Sequence, residues 1–444
     1  KDKLKQKADQ GDDEAMFLYA KALLTGDGIS VNKKKALEYC KMSVEKGNGD
    51  ALNMYATMLR YGNVVSMDKE SAVEYYLQAI EKGNSNAMFN YAFMLKTGEG
   101  ISKNIEKSIK YFKMAIDLGN DVAMNAYATM LEKGEGIPVD MKESARLFKL
   151  ASDNGNVNAM YNYAEMLKNG KGVEIDLDEA FNYYKQAADQ GNDKSMACVA
   201  EMLSTGTGCE IDYEKAIDYV KQGIAKENSD AFYLYGFWNW IGRGMPVNDE
   251  KSLRYIKMAI DKGNKRAPSL YAYMLYVGEG VDCDVMKAVN YWKLGAERGD
   301  QVGMRNYAYS LYYGEFIEEN KSEAIKYIKK AIKKGDPRSL NMYVDWQNDM
   351  GEEPMDKQEV ARFYKKEIKK GNIDAMVLYA LMLINGDGIK KDTKKAIKYL
   401  EMAKKKDSSF AIHNYAVVLC EGNGIEPNKE KAAKLYKLSI QKRN

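Results

Sequence analysis

Small and apolar side chains recur along this chain in two sets within every 36 residues. Counting Gly11 as position 0, the first set falls at positions 4, 5, 8, 9 and 12 and the second at 25, 28, 29, 32 and 33. In the fifth window these are Ala159, Met160, Tyr163, Ala164 and Leu167, then Ala180, Tyr183, Tyr184, Ala187 and Ala188. Steps of three, four, seven and eight put residues on one face of a helix, so each window predicts two amphipathic helices of about 12–14 residues. The window restarts at Gly11, Gly47, Gly83, Gly119, Gly155, Gly191, Glu227, Gly263, Gly299, Gly335, Gly371 and Asp407, with no insertion or deletion. Twelve units result. A chain of 444 residues would ordinarily suggest about three domains, but a fixed period overrides that expectation and makes residues 1–444 one array.

The polar punctuation agrees with the hydrophobic pattern. Position 1 is Asn, Asp or Ser throughout and position 21 is Asp or Asn throughout, which places a cap before each helix. Position 15 is Gly in all units but one, where Met350 stands, and Gly recurs at position 0; these supply left-handed residues that close the helices. Pro268 and Pro337 fall near the first turn, where a missing N–H costs little. Position 8 is Tyr in eleven units, Val199 being the exception, and position 9 is Ala in ten. Each unit is a helical hairpin. Hairpins of this length stack into a solenoid, so the fold expected is all-α, an α-solenoid of about twelve hairpins forming a right-handed superhelix. Residues 1–10 read as the orphan second helix of a preceding unit, with Leu4 and Ala8 on its buried face, and Arg443 falls where a further unit would begin. The chain therefore reads as part of a longer array.

The series Ala159, Tyr163, Ala164, Leu167, Gly170, Gly172, Val173, Asp176, Ala180, Tyr183 resembles the Sel1-like repeat, a relative of the tetratricopeptide repeat. The likeness runs the length of the chain. It departs at Val64, Phe316 and Glu352, which replace the second Gly, and in unit ten, where Met350 and Gln347 replace Gly and Leu. Irregular geometry is expected around residues 344–356. The resemblance implies a non-catalytic scaffold or adaptor that binds a protein or peptide.

Composition narrows the chemistry. The single histidine, His413, has no partner placed by sequence and reads as a surface residue; with one histidine, His-ligated zinc and His-based triads are excluded. Cys40, Cys198, Cys209, Cys283 and Cys420 are odd in number and form no C-x-x-C pair, which points to a reducing, cytoplasmic setting rather than a disulfide framework. The repeated G-x-G turns lack the strand and the Gly-Lys-Ser/Thr of a phosphate loop. Asn385-Gly-Asp387-Gly departs from a calcium loop because Ile389 stands where a ligand belongs. No catalytic residue, metal, cofactor or small-molecule substrate is implied, and no stretch is long and apolar enough to span a membrane. Asn90, Asn162, Asn306 and Asn414 share position 7 and read as bonds between repeats, and the methionines at position 11 (Met58, Met94, Met130, Met166, Met202, Met274, Met382) read as packing.

Two surface features remain. By analogy with tetratricopeptide grooves, positions 3, 6, 10, 13 and 14 of the first helix face the hollow. Most units place mixed polar residues there. Units seven to nine instead present Tyr233, Phe237, Trp240, Arg266, Tyr273, Tyr276, Arg305, Tyr309, Tyr312 and Tyr313. Tyr, Trp and Arg dominate binding hot spots, so these ten are the candidate protein-binding residues, with rows expected at position 10 (Phe237, Tyr273, Tyr309) and position 13 (Trp240, Tyr276, Tyr312) and the arginines available to carboxylates or phosphates. Charge is also uneven. Residues 321–444 hold 27 Lys/Arg against 17 Asp/Glu, a net +10 in a chain whose total is +3. The alternative functions are a structural component that docks through this basic third onto a larger filament or membrane-bound assembly, and a regulatory activator of an enzyme. A nucleic-acid partner lacks any recognised reading motif.

Overall fold

The computed structural model describes residues 2–353, 355–406, 408–422 and 425–441. Asp407 and Arg443, used above to set the register, and the first residue of the orphan helix lie outside the described residues. Among those described there are 25 helices and no strand. The helices alternate as expected: Asp13–Thr25 and Lys33–Glu45 form the first hairpin, Gly49–Tyr61 and Lys69–Glu81 the second, and so on to Lys429–Gln441, each almost always 13 residues long. A short helix, Asp2–Asp9, precedes them where the orphan second helix was expected. Contacts divide the chain into two compact units, Lys1–Tyr163 with Lys171–Val173, and Ala164–Gly170 with Glu174–Asn444.

The sequence-level caps are the structural caps. Asn48 accepts from the Ala51 N–H and Asp68 from the Ser71 N–H, and the same pair of bonds recurs down the chain. Gly26, Gly62 and their equivalents close the first helices in the left-handed conformation, with φ of 76° and 64° at these two. The second Gly has a steric cause: at Gly208 an added Cβ would overlap the backbone carbonyl of Leu177 in the preceding repeat. Phe316 holds the same left-handed φ, 64°, without being glycine.

Three further regularities bind the repeats. Within a hairpin the position 8 Tyr meets a position 28 Tyr edge-on, as in Tyr91–Tyr111 at 4.8 Å and Tyr235–Tyr255 at 4.8 Å. Between repeats a position 30 Lys lies over the next such Tyr: Lys41 over Tyr55, Lys257 over Tyr271, Lys365 over Tyr379, at 5.6–5.7 Å. Where Glu401 replaces that lysine, it accepts the Tyr415 hydroxyl at 2.9 Å instead. Third, the capping Asn donates its side-chain N–H₂ to the preceding repeat: Asn84 to Asp50 at 2.7 Å, Asn228 to Asp193 and Asn264 to Asp230 at 2.8 Å. The position 7 asparagines behave variously. Asn90 and Asn162 bond across repeats to Asn53 and Asn125, whereas Asn414 bonds to Phe410 within its own helix. The position 11 methionines are buried.

The expected irregularity in unit ten is confined to a turn. Its helices, Pro337–Asp349 and Lys357–Lys369, are of ordinary length. Met350 stays right-handed and Gly351 takes the left-handed place, φ 68°. The helix is closed one residue later, by the αR-then-αL ending that second helices use at Lys46 and Gly47.

In the larger unit the contacts around Lys406 and Gly371 are far from local. Lys406 donates to the carbonyls of Thr205 at 3.0 Å and Gly206 at 2.8 Å, which end a first helix five repeats earlier. Gly371 lies beside it against Thr207 and Leu177, close enough that a Cβ would sit 3.2 Å from the Thr207 methyl.

Candidate protein-binding face

First helices of successive repeats lie side by side, so residues in one register form a row across them. Four of the ten candidates are open to solvent: Tyr273 (42% exposed), Tyr276 (41%), Tyr309 (40%) and Tyr313 (47%). They stand on a bed of other rings. Tyr309 and Tyr313 are 4.7 Å apart, Tyr276 rests on Trp292 at 5.4 Å, and Tyr273 meets Trp240 edge-on at 5.6 Å. Tyr233 and Phe237, half-buried, stack on each other at 6.0 Å. The position 10 row is therefore exposed at Tyr273 and Tyr309.

The position 13 row is not the exposed row expected. Trp240 and Tyr312 are each 3% exposed. The Trp240 indole N–H donates to Glu279 at 3.0 Å, and Tyr312 lies face to face with Trp346 of the next repeat, 4.0 Å between centroids. Of that row, Tyr276 alone is open. The two arginines are also not available as expected. Arg305 donates to both oxygens of Asp336 at 2.7–2.9 Å, with both side chains largely buried. Arg266 reaches Glu201 at 2.5 Å, two repeats away, and its guanidinium lies 4.4 Å over the Tyr233 ring. A long side chain at position 3 spans a whole repeat and meets the solenoid's own carboxylates before any ligand does.

Electrostatics follow from these pairs. Burial pushes the Glu201 carboxyl up, but the Arg266 and Lys168 charges and the Arg266 hydrogen bond outweigh it and hold the pKa down at about 2. Burial opposes the Arg266 charge, and Glu201, Tyr233 and Asp230 more than restore it. Burial likewise raises the Cys198 thiol to about 12, the nearby Lys168 notwithstanding, so it is not an activated nucleophile. The five cysteines are free thiols. The expected turn at Asp387 is a turn: its carboxylate takes Lys357 at 3.0 Å between two left-handed glycines, and no cluster of potential metal ligands occurs among the described residues. His413 is exposed, edge-on to Tyr436.

Sequence reasoning missed Trp346, Asp349 and Glu279, which border the candidate aromatics, and Asp345 on the next first helix. The signal was available for one of them: Asp345 occupies position 10, in register with Tyr273 and Tyr309.

Eleven segments match the Sel1 repeat family: residues 13–48, 49–84, 85–120, 121–156, 157–192, 194–228, 229–264, 269–300, 301–336, 373–408 and 409–444. The chain belongs to the Sel1 repeat family. Outside these matches lies the span 337–372, which nevertheless folds as the helical hairpin of a Sel1 repeat. A solved Sel1-type fold, a protective antigen present in uropathogenic Escherichia coli strains, is 23% identical, with 99% of this chain and 94% of that one covered and a TM-score of 0.55. A Sel1 repeat protein from Oxalobacter formigenes is 25% identical over 52% of this chain and 94% of its own, with a TM-score of 0.48. No curated protein matches the chain. The Sel1 fold here is an all-α solenoid, and Sel1 and related repeats generally mediate protein–protein interaction. No helix among the described residues is long and apolar enough to cross a membrane.

Proposed function

We propose that this Sel1 repeat chain is a non-catalytic scaffold that holds a protein segment against the first helices of repeats seven to ten. The observation that carries this reading is the cluster of Tyr273, Tyr276, Tyr309 and Tyr313, open to solvent and braced from below by packed rings. Rigid aromatic side chains lose little entropy on binding, so such a face can supply much of the affinity of a complex. Tyr233, Phe237, Trp240 and Tyr312 serve as the bed, and Arg266 and Arg305 fix the helices relative to one another. Five cysteines, odd in number and without a C-x-x-C pair, fit a reducing, cytoplasmic compartment. Affinity purification with mass spectrometry supplies the partner, and titration of the Y273A/Y309A double variant then tests the face. Both side chains are half-open, so helix content and unfolding midpoint should stay near wild type while affinity falls by about 2 kcal/mol or more. Unchanged affinity would remove the reading.

A second reading rests on the outer layer. Lys326, Arg362, Lys398 and Lys434 occupy position 27 in four consecutive second helices, all exposed, and could dock the chain on an acidic assembly. Loss of the same partner on K326Q/K398Q, with strong salt dependence, would favour it.

A further inference from the structure

The open tyrosines sit among carboxylates. Asp345 continues the position 10 row of Tyr273 and Tyr309 as an exposed acid, and Asp349 follows one turn later on the same helix. Glu279 caps the Trp240 indole beside Tyr273, and burial with the Glu315 charge raises the Tyr309 hydroxyl. Asp349, Glu319 and Glu352 all bear on Tyr312 beneath Tyr313. Burial raises the Asp345 carboxyl, and Asp349 adds to the rise against the pull of Lys357. Most nearby cations have acceptors within the chain: Lys321 lies 5.2 Å over Tyr312 and beside Glu319, Lys357 holds Asp387, Arg266 and Arg305 hold Glu201 and Asp336, and Arg243 lies 5.9 Å over Phe237. An anionic partner would meet repulsion on this face. A cationic one would gain both from the carboxylates and from the tyrosine rings.

Spacing adds a second constraint. Neighbouring helices pack about 8–10 Å apart. A polyproline-like segment rises about 3.1 Å per residue with three residues per turn, so every third side chain returns to one side at roughly 9 Å intervals. We propose that this face takes an extended basic segment carrying arginine or lysine at every third position, those cations lying over Tyr273 and Tyr309 and ending at Asp345 and Asp349. The inference rests on the scaffold reading above and names the chemistry of the partner segment.

The test uses the full chain and three labelled twelve-residue peptides, four repeats of Arg-Pro-Leu, of Gln-Pro-Leu and of Glu-Pro-Leu, followed by fluorescence anisotropy. The arginine peptide should bind at least tenfold tighter than the glutamine one, and the glutamate peptide not at all. D345N/D349N should erase most of the preference for arginine over glutamine, and Y273A/Y309A should weaken the arginine peptide at least tenfold. Both variants change exposed side chains, and circular dichroism checks that they remain folded. Equal binding of the arginine and glutamine peptides, or an arginine peptide indifferent to D345N/D349N, would overturn the inference. If that happens while Y273A/Y309A still loses the captured partner, the scaffold reading stands without its basic ligand. Should the tyrosine variant keep both peptide and partner, the two readings fall together.

Discussion

The capping asparagine shows how much one side chain does in this solenoid. At Asn264 the carbonyl oxygen accepts from the Arg266 and Ala267 N–H groups, while the amide donates to Asp230 and to the Ser229 carbonyl. Asp at this site would keep the cap but set a carboxylate against Asp230; Ser would keep the cap and lose the donor without the repulsion. N264D is therefore expected to destabilise by about 2 kcal/mol and N264S by about 1 kcal/mol, in that order, by urea denaturation. The reverse order would show that the link between repeats contributes nothing. The cap was legible in the sequence because capping needs only an oxygen at a fixed offset. The preference for Asn was not, since the acceptor it serves lies 34 residues earlier. Glu201 carries a prediction of its own. Its folded pKa, about 2, lies below the ordinary carboxylate range, so its stabilising contribution is complete above that range and lost as pH falls toward 2. The stability difference between wild type and E201Q should accordingly shrink between roughly pH 5 and pH 2.

Among the elements, unit ten is the most informative because it breaks the repeat signature and keeps the hairpin. A left-handed glycine is still needed to end its first helix, and Gly351 provides it where Met350 cannot. G351A should cost about 1 kcal/mol, whereas M350G should change midpoint little; equal effects would mean that the turn tolerates either closure. The helices were readable here despite the lost motif, since amphipathic spacing survives the change of turn. Exposure on the neighbouring face was harder to read. Tyr276 and Tyr312 share position 13, yet one is open and the other buried. What differs is the following repeat, which offers Ser310 at position 11 in the first case and Trp346 in the second. Periodicity assigns a residue to a face; the size of a side chain in the next unit decides whether that face is covered. The arginines failed for a similar reason, because their partners lie 31 and 65 residues away.

At the scale of the larger unit, Lys406 departs from the rule that repeats contact only their neighbours. Its ammonium is half-buried against the carbonyls that end a helix, where a cation also meets the negative end of the helix dipole. Burial lowers its pKa, with the Cys209 thiol acting in the opposite sense. K406M keeps most of the side-chain volume and removes both bonds, so it should lower stability by about 1–2 kcal/mol and broaden the urea transition as the last repeats uncouple from those near residue 205. A single sharp transition at the wild-type midpoint would show the contact to be incidental. The partners of this bond are 201 residues apart in the chain. At about 5–20 residues added per second, a ribosome would deliver Lys406 roughly 10–40 s after Thr205. The early repeats can stack as they emerge, but the carbonyls at Thr205 and Gly206 must wait for five further repeats to be made. This bond thus reports, on the folded surface, that translation has passed Lys406.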